Sequence, residues 1–69
     1  MKFEELRKTQ KEFEDYLKKY PQITETKIQT NENKEWALWI FYKGLSIAQK
    51  KEIAYELGDV PLKWVQSNS

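Results

Sequence analysis

Residues 36–42 read Trp-Ala-Leu-Trp-Ile-Phe-Tyr, seven apolar residues in succession in a chain of 69. The run is far shorter than the roughly 20 residues that span a bilayer. Its aromatic content favours an extended strand over Glu35–Lys43. Side chains of a strand alternate, so Trp36, Leu38, Ile40 and Tyr42 share one face while Ala37, Trp39 and Phe41 share the other. Both faces are apolar. A fold built on this strand must bury one face and account for the second.

The flanks predict what is available to cover it. Upstream, Thr24–Thr30 reads as another strand, and Asn31-Glu32-Asn33-Lys34 between the two is turn-forming, so the pair predicts a hairpin. Lys2 to Tyr20 predicts a helix. Phe3, Leu6, Gln10, Phe13, Leu17 and Tyr20 recur at spacings of three and four, a stripe broken only by the polar Gln10. Glu4 and Glu5 near its start and Lys18 and Lys19 near its end match the helix dipole. Glu4–Lys8, Glu14–Lys18 and Asp15–Lys19 stand at i,i+4, and Pro21 ends the segment.

After Gly44, Ser46 followed by Gln49 predicts a capping box opening a second helix. Ile47, Ile53, Ala54 and Leu57 are its expected apolar side, with Gly58 and then Pro61 as its stop. Leu62-Lys63-Trp64-Val65 alternates as a short third strand, and the end of the chain is expected to be a loose tail over 67–69. The order α-β-β-α-β predicts an α+β fold, one small domain over 1–69 with its folded core in 1–66. Its three-stranded sheet carries two helices packed on one face. A helical crossover between the second and third strands makes those two parallel. The pattern leaves open whether the third strand lies beside the first or the second.

Composition narrows the function. The chain has no cysteine and no histidine, which excludes disulfides and the usual zinc, copper and iron ligand sets, and no stretch resembles a calcium loop. No metal and no cofactor are expected. The charged amino terminus lacks a signal-peptide core and no stretch can span a membrane, so the expected location is cytoplasmic. With no imidazole or thiol, nucleophilic catalysis would have to use a carboxylate or lysine as its base. The serines are Ser46, which a helix cap explains, and two in the tail, and two glycines cannot build a phosphate-cradling loop. The expectation is a binding protein rather than an enzyme. Arg7 is the only arginine among 12 basic residues, a bias of AT-rich coding that suits a phage or mobile-element inhibitor of counter-defence type.

Two surfaces are candidates for binding. With the even-numbered face under the helices, Trp39 and Phe41 emerge on the open side of the sheet, joined by Val65 and flanked by Lys27, Lys43 and Lys63. Such an aromatic patch marks an interaction surface. The competing expectations are that the tail folds over the rings, or that the two faces are exchanged. The second surface is the start of the second helix, where Ser46, Lys50 and Lys51 gather positive charge around free backbone amides and would meet an anion or an acidic partner. Lys50 also lies within the helix's apolar stripe, so its stem is equally suited to lie along the core. The leading expectation is a protein partner held by the aromatic face. The alternatives are a nucleic acid stacked on the same rings and a homodimer. A net charge of +1 lowers the case for nucleic acid.

Overall fold

The apolar run becomes the middle strand of the sheet. The computed structural model describes residues 2–67, and residues 68 and 69 of the expected tail lie outside the described residues. Strand β1 covers Ile23–Thr30, β2 covers Trp36–Tyr42 and β3 covers Leu62–Gln66. Their order is β1-β2-β3, with β1 antiparallel and β3 parallel to β2. The third strand therefore lies beside the second. That position gives the two-sided apolar strand a hydrogen-bonded neighbour on each edge. The α+β class, the order of elements along the chain and the parallel pairing of β3 with β2 follow the expectation, and the position of β3, which the pattern left open, is settled beside β2.

The hairpin turn closes on Asn31. Its Oδ1 accepts the N–H groups of Asn33 and Glu35 at 2.9 and 3.1 Å, a side chain standing in for a backbone turn. Lys34 takes a positive φ of 61° there. Asn31 N–H donates to Glu35 C=O at 2.8 Å, so in β1 the odd-numbered residues turn their main-chain groups toward β2 and the even-numbered ones turn them to the open edge.

The expected helix over 2–20 is present as two segments, α1 (Phe3–Glu12) and α2 (Glu14–Leu17), separated at Phe13. Backbone bonding continues across the break, with Phe13 N–H on Thr9 C=O at 3.0 Å and Leu17 N–H on Phe13 C=O at 2.9 Å. The feature is a bend. Thr9 Oγ1 donates back to Glu5 C=O at 2.9 Å one turn earlier, a contact that bends helices. Of the three expected i,i+4 pairs, Glu14–Lys18 closes, at 3.4 Å.

The expected stripe does face the sheet. Leu6 and Leu17 are buried, and Phe13, Tyr16 and Tyr20 pack half-buried against the same core. Phe3 sits at the end of the stripe, its ring edge-on to Trp36 at 5.1 Å, and both remain partly exposed. Gln10, the polar interruption, reaches the open edge of β1. Its Nε2 donates to Thr26 Oγ1 at 2.9 Å and to Thr26 C=O at 3.3 Å.

Helix α3 (Ile47–Leu57) opens on the expected capping box. Ser46 Oγ accepts Gln49 N–H at 3.1 Å and Gln49 Oε1 accepts Ser46 N–H at 3.1 Å. Gly58 ends it with φ +70°, a backbone that a side chain would strain. Ile53 and Leu57 are buried, but Ile47 is 72% exposed rather than on the apolar side. At about 100° per residue Ile47 lies roughly 120° around the helix from Ile53. Leu45, just before the cap, is buried and makes the core contact instead. No helix among the described residues is long and apolar enough to cross a membrane.

Leu38, Ile40 and Tyr42 point from β2 into the core with Leu6, Leu17, Ile53 and Leu57. That fixes which face of β2 the helices cover. Tyr16 and Tyr20 complete the helix side, with their hydroxyls 3.3 Å apart. Desolvation pushes the Tyr16 phenol well above the usual tyrosine range. The hydrogen bond to Tyr20 and the charges of Tyr20, Glu52 and Glu56 act in the same direction.

Candidate functional site

With Leu38, Ile40 and Tyr42 of β2 committed to the core, pairing register determines the other face. Across from Trp39 lie Lys27 of β1 and Lys63 of β3. Across from Phe41 lie Glu25 and Val65. Trp39, Phe41, Val65, Lys27 and Lys63 are therefore brought together on one surface, the side of the sheet away from the packed core. Trp39 and Phe41 stand next to each other, centroids 6.5 Å apart and planes tilted by 33°. Ala37, the next residue along this face, is buried between larger neighbours.

A lysine sits over each ring. Lys27 Nζ is 5.5 Å from the Phe41 centroid and Lys63 Nζ is 5.9 Å from that of Trp39, within the range of cation–π attraction. Each ammonium is also paired with a carboxylate, Lys27 with Glu25 and Lys63 with Glu32, both at 3.6 Å. The two rings are half-buried as a result, although no helix lies on them. Their lysine roof is made of long, partly exposed side chains.

One atom on this face is anomalous. The Trp39 indole N–H is shielded from solvent and has no hydrogen-bond acceptor among the described residues. Buried donors in folded proteins are nearly always paired, and leaving one unpaired costs about 1–3 kcal/mol.

Lys43 follows the end of β2, and its backbone N–H donates to Gln22 C=O at 2.8 Å. The second candidate surface does not assemble as an open cluster. Ser46 Oγ is engaged in the cap. Lys50 turns inward, its Nζ bonding the Tyr42 hydroxyl and lying 4.1 Å from that ring's centroid. Lys51 alone of the three presents an exposed, uncapped side chain. The apolar-stripe position of Lys50 decided this: its stem follows the core and its ammonium finds a hydroxyl at the rim.

Two exposed apolar features were not anticipated. Ile47 and Tyr55, at 72% and 85% exposure, stand on the outer side of α3. Helical angles measured from Ile53 would have found both. The Phe3–Trp36 pair requires knowing where α1 begins over β2, and no local signal carries that. Among the described residues no three His, Cys, Asp or Glu side chains gather where a metal ion could be held. Comparison with protein-family models, with curated proteins and with solved structures gives no match for this chain.

Proposed function

We propose that this chain is a small non-catalytic module that binds another protein through the open face of its sheet. Trp39 and Phe41 serve as anchors, and Val65, Lys27 and Lys63 form their surround. In this reading it acts on its partner by occupying a surface, in the manner of an inhibitor or modulator. The observation that carries the reading is the Trp39–Phe41 pair itself, two adjacent rings on a sheet face that no helix covers.

The charge arrangement favours protein over nucleic acid. A strand of nucleic acid binds by exchanging counterions for lysines and arginines. Here the two lysines nearest the rings already have carboxylate partners in Glu25 and Glu32. A phosphate backbone would meet those carboxylates too. A protein surface supplies what the face does lack, apolar area for the rings and an acceptor for the Trp39 indole N–H.

Immobilised wild-type chain and its Trp39→Ala and Lys51→Ala variants, exposed to extract of the cells that produce it, test this directly. A protein should be retained by wild type and by Lys51→Ala and at least about 30-fold less by Trp39→Ala, the effect of losing a hot-spot ring. Circular dichroism should show all three folded. Retention of the same proteins by wild type and Trp39→Ala would sink the reading, as would salt-sensitive retention of nucleic acid alone.

A further inference from the structure

The two edges of the sheet are treated differently. At β1 the pairing register slips between Ile23 and Glu25, a bulge, and the outward C=O of Thr26 is covered by the Gln10 side chain. Edge strands avoid pairing with another chain by shortness and edge lysines, of which five-residue β3 has Lys63, and by bulges or covering side chains. At β3 neither a bulge nor a covering side chain is present among the described residues. Leu38 N–H donates to Pro61 C=O at 2.9 Å and Ser67 N–H to Tyr42 C=O at 2.6 Å. The odd-numbered residues of this strand therefore turn their main-chain groups to β2, and Leu62, Trp64 and Gln66 turn theirs away from the sheet. The side chains of Leu62, Trp64 and Val65 are only half-buried, on both faces of the same edge.

We propose that β3 pairs antiparallel with β3 of a second copy about a two-fold axis at Trp64, joining two three-stranded sheets into one of six. Among two-fold registers this one uses all five residues of β3. It sets Trp64 opposite its own counterpart, Leu62 opposite the second copy's Gln66, and Lys63 opposite the second copy's Val65. Moving the axis to Lys63 would bring two lysines face to face, which is unfavourable across a strand pair. The Trp64 ring, already edge-on to Tyr42 at 5.9 Å, gains an aromatic cross-strand neighbour, a stabilising pairing. A C2 contact of this kind is isologous and closes at the dimer. The open faces of the two sheets become continuous, with the Trp39–Phe41 pairs of both copies on the same side. The pairing concerns the edge and stands whether or not the ring pair binds a partner.

The edge contact is small, so it forms in a concentration-dependent way, in the range from about 10 μM to about 1 mM expected below the standard interface size. Sedimentation equilibrium on the chain alone should show monomer passing to dimer across that range. Val65→Lys sets a second lysine against Lys63 at two symmetric places and should weaken the dimer about tenfold. The double variant Lys63→Glu with Val65→Lys should restore it, because the register places those residues opposite each other. In the wild type the amides of Leu62, Trp64 and Gln66 should exchange more slowly at high concentration, while those of Ile28 and Thr30 on the other edge stay unchanged. A chain that remains monomeric to about 1 mM overturns the proposal, as does a dimer that leaves those three amides unprotected or a charge swap that fails to rescue.

Discussion

Replacing Trp39 by phenylalanine separates the two things this residue does. The indole N–H is buried without an acceptor among the described residues, and removing such a donor relieves about 1–3 kcal/mol of unmet desolvation. Against this, phenylalanine buries less area. The ring is half-covered, so the loss is roughly one methylene equivalent, near 1 kcal/mol, and a weakened contact with Lys63 adds about 0.5 kcal/mol. The balance lies between about 0.5 kcal/mol against the variant and about 1.5 kcal/mol in its favour. Few tryptophan truncations in proteins are expected to cost so little.

Urea unfolding followed by circular dichroism measures it. A chain of this size holds about 3–5 kcal/mol of stability and unfolds with a slope near 1 kcal/mol per molar urea. The midpoint of Trp39→Phe should therefore lie between roughly 0.5 M below and roughly 1.5 M above that of wild type. Trp39→Ala, which removes the whole ring, should lower it. If Trp39→Phe instead loses more than about 1.5 kcal/mol, the donor is satisfied in solution or the ring belongs to the core. Either result would remove the reason to expect an acceptor from a partner. Partner binding should move the other way from stability, weakening in Trp39→Phe because the donor is gone.

Two further outcomes follow from the helices. Ser46→Ala removes the acceptor for Gln49 N–H and should cost about 1 kcal/mol, read as a lower urea midpoint with an unchanged slope. The Tyr16 phenol is raised in the folded chain, so the fold favours its neutral form. The stability that this confers is complete below the ordinary tyrosine value near 10 and is lost as the pH rises beyond it. Unfolding midpoints should stay level through neutral pH and fall above about pH 10, and Tyr16→Phe should lessen that fall.

Periodicity made most of the fold legible, because the elements are short and each has one strong local signal. Asn31 closes the hairpin, the Ser46–Gln49 box opens α3, and the three-four stripe of α1 meets the sheet where expected. The position of β3 beside β2 was not legible, since strand order is a long-range property. In hindsight the two-sided apolar character of 36–42 argues for the central place. Gln10 looked like a flaw in an apolar stripe because its partner, Thr26, lies sixteen residues away. Ile47 was misplaced because an apolar residue directly after a cap looks like the start of a buried side, whereas its angle sends it outward. At the candidate face, alternation grouped Trp39 with Phe41 but left open which side of β2 the helices cover, and the core packing of Leu38, Ile40 and Tyr42 decided it. Alternation carried nothing about Glu25 and Glu32, which reach the flanking lysines through register and through the hairpin turn.

On the proposed reading, those ion pairs let the aromatic face be covered in the free chain and yet open to a partner. Each lysine contributes about 0.5–1 kcal/mol over its ring and at most about 1 kcal/mol in its exposed ion pair. Lifting both off Trp39 and Phe41 therefore costs roughly 1–4 kcal/mol, toward the low end where the ion pairs re-form with the lysines swung aside. A buried hot-spot ring contributes about 2 kcal/mol or more, and pairing the indole N–H adds to that. The lysines thus cover the rings against water without holding them against a matched surface. A face sealed by packed apolar side chains would not behave so, because reopening it would expose as much area as docking hides. If this is the working principle of the site, exchanging Lys27 and Lys63 for methionine, which covers the rings without charge, should leave the chain folded but raise its tendency to self-associate through this face.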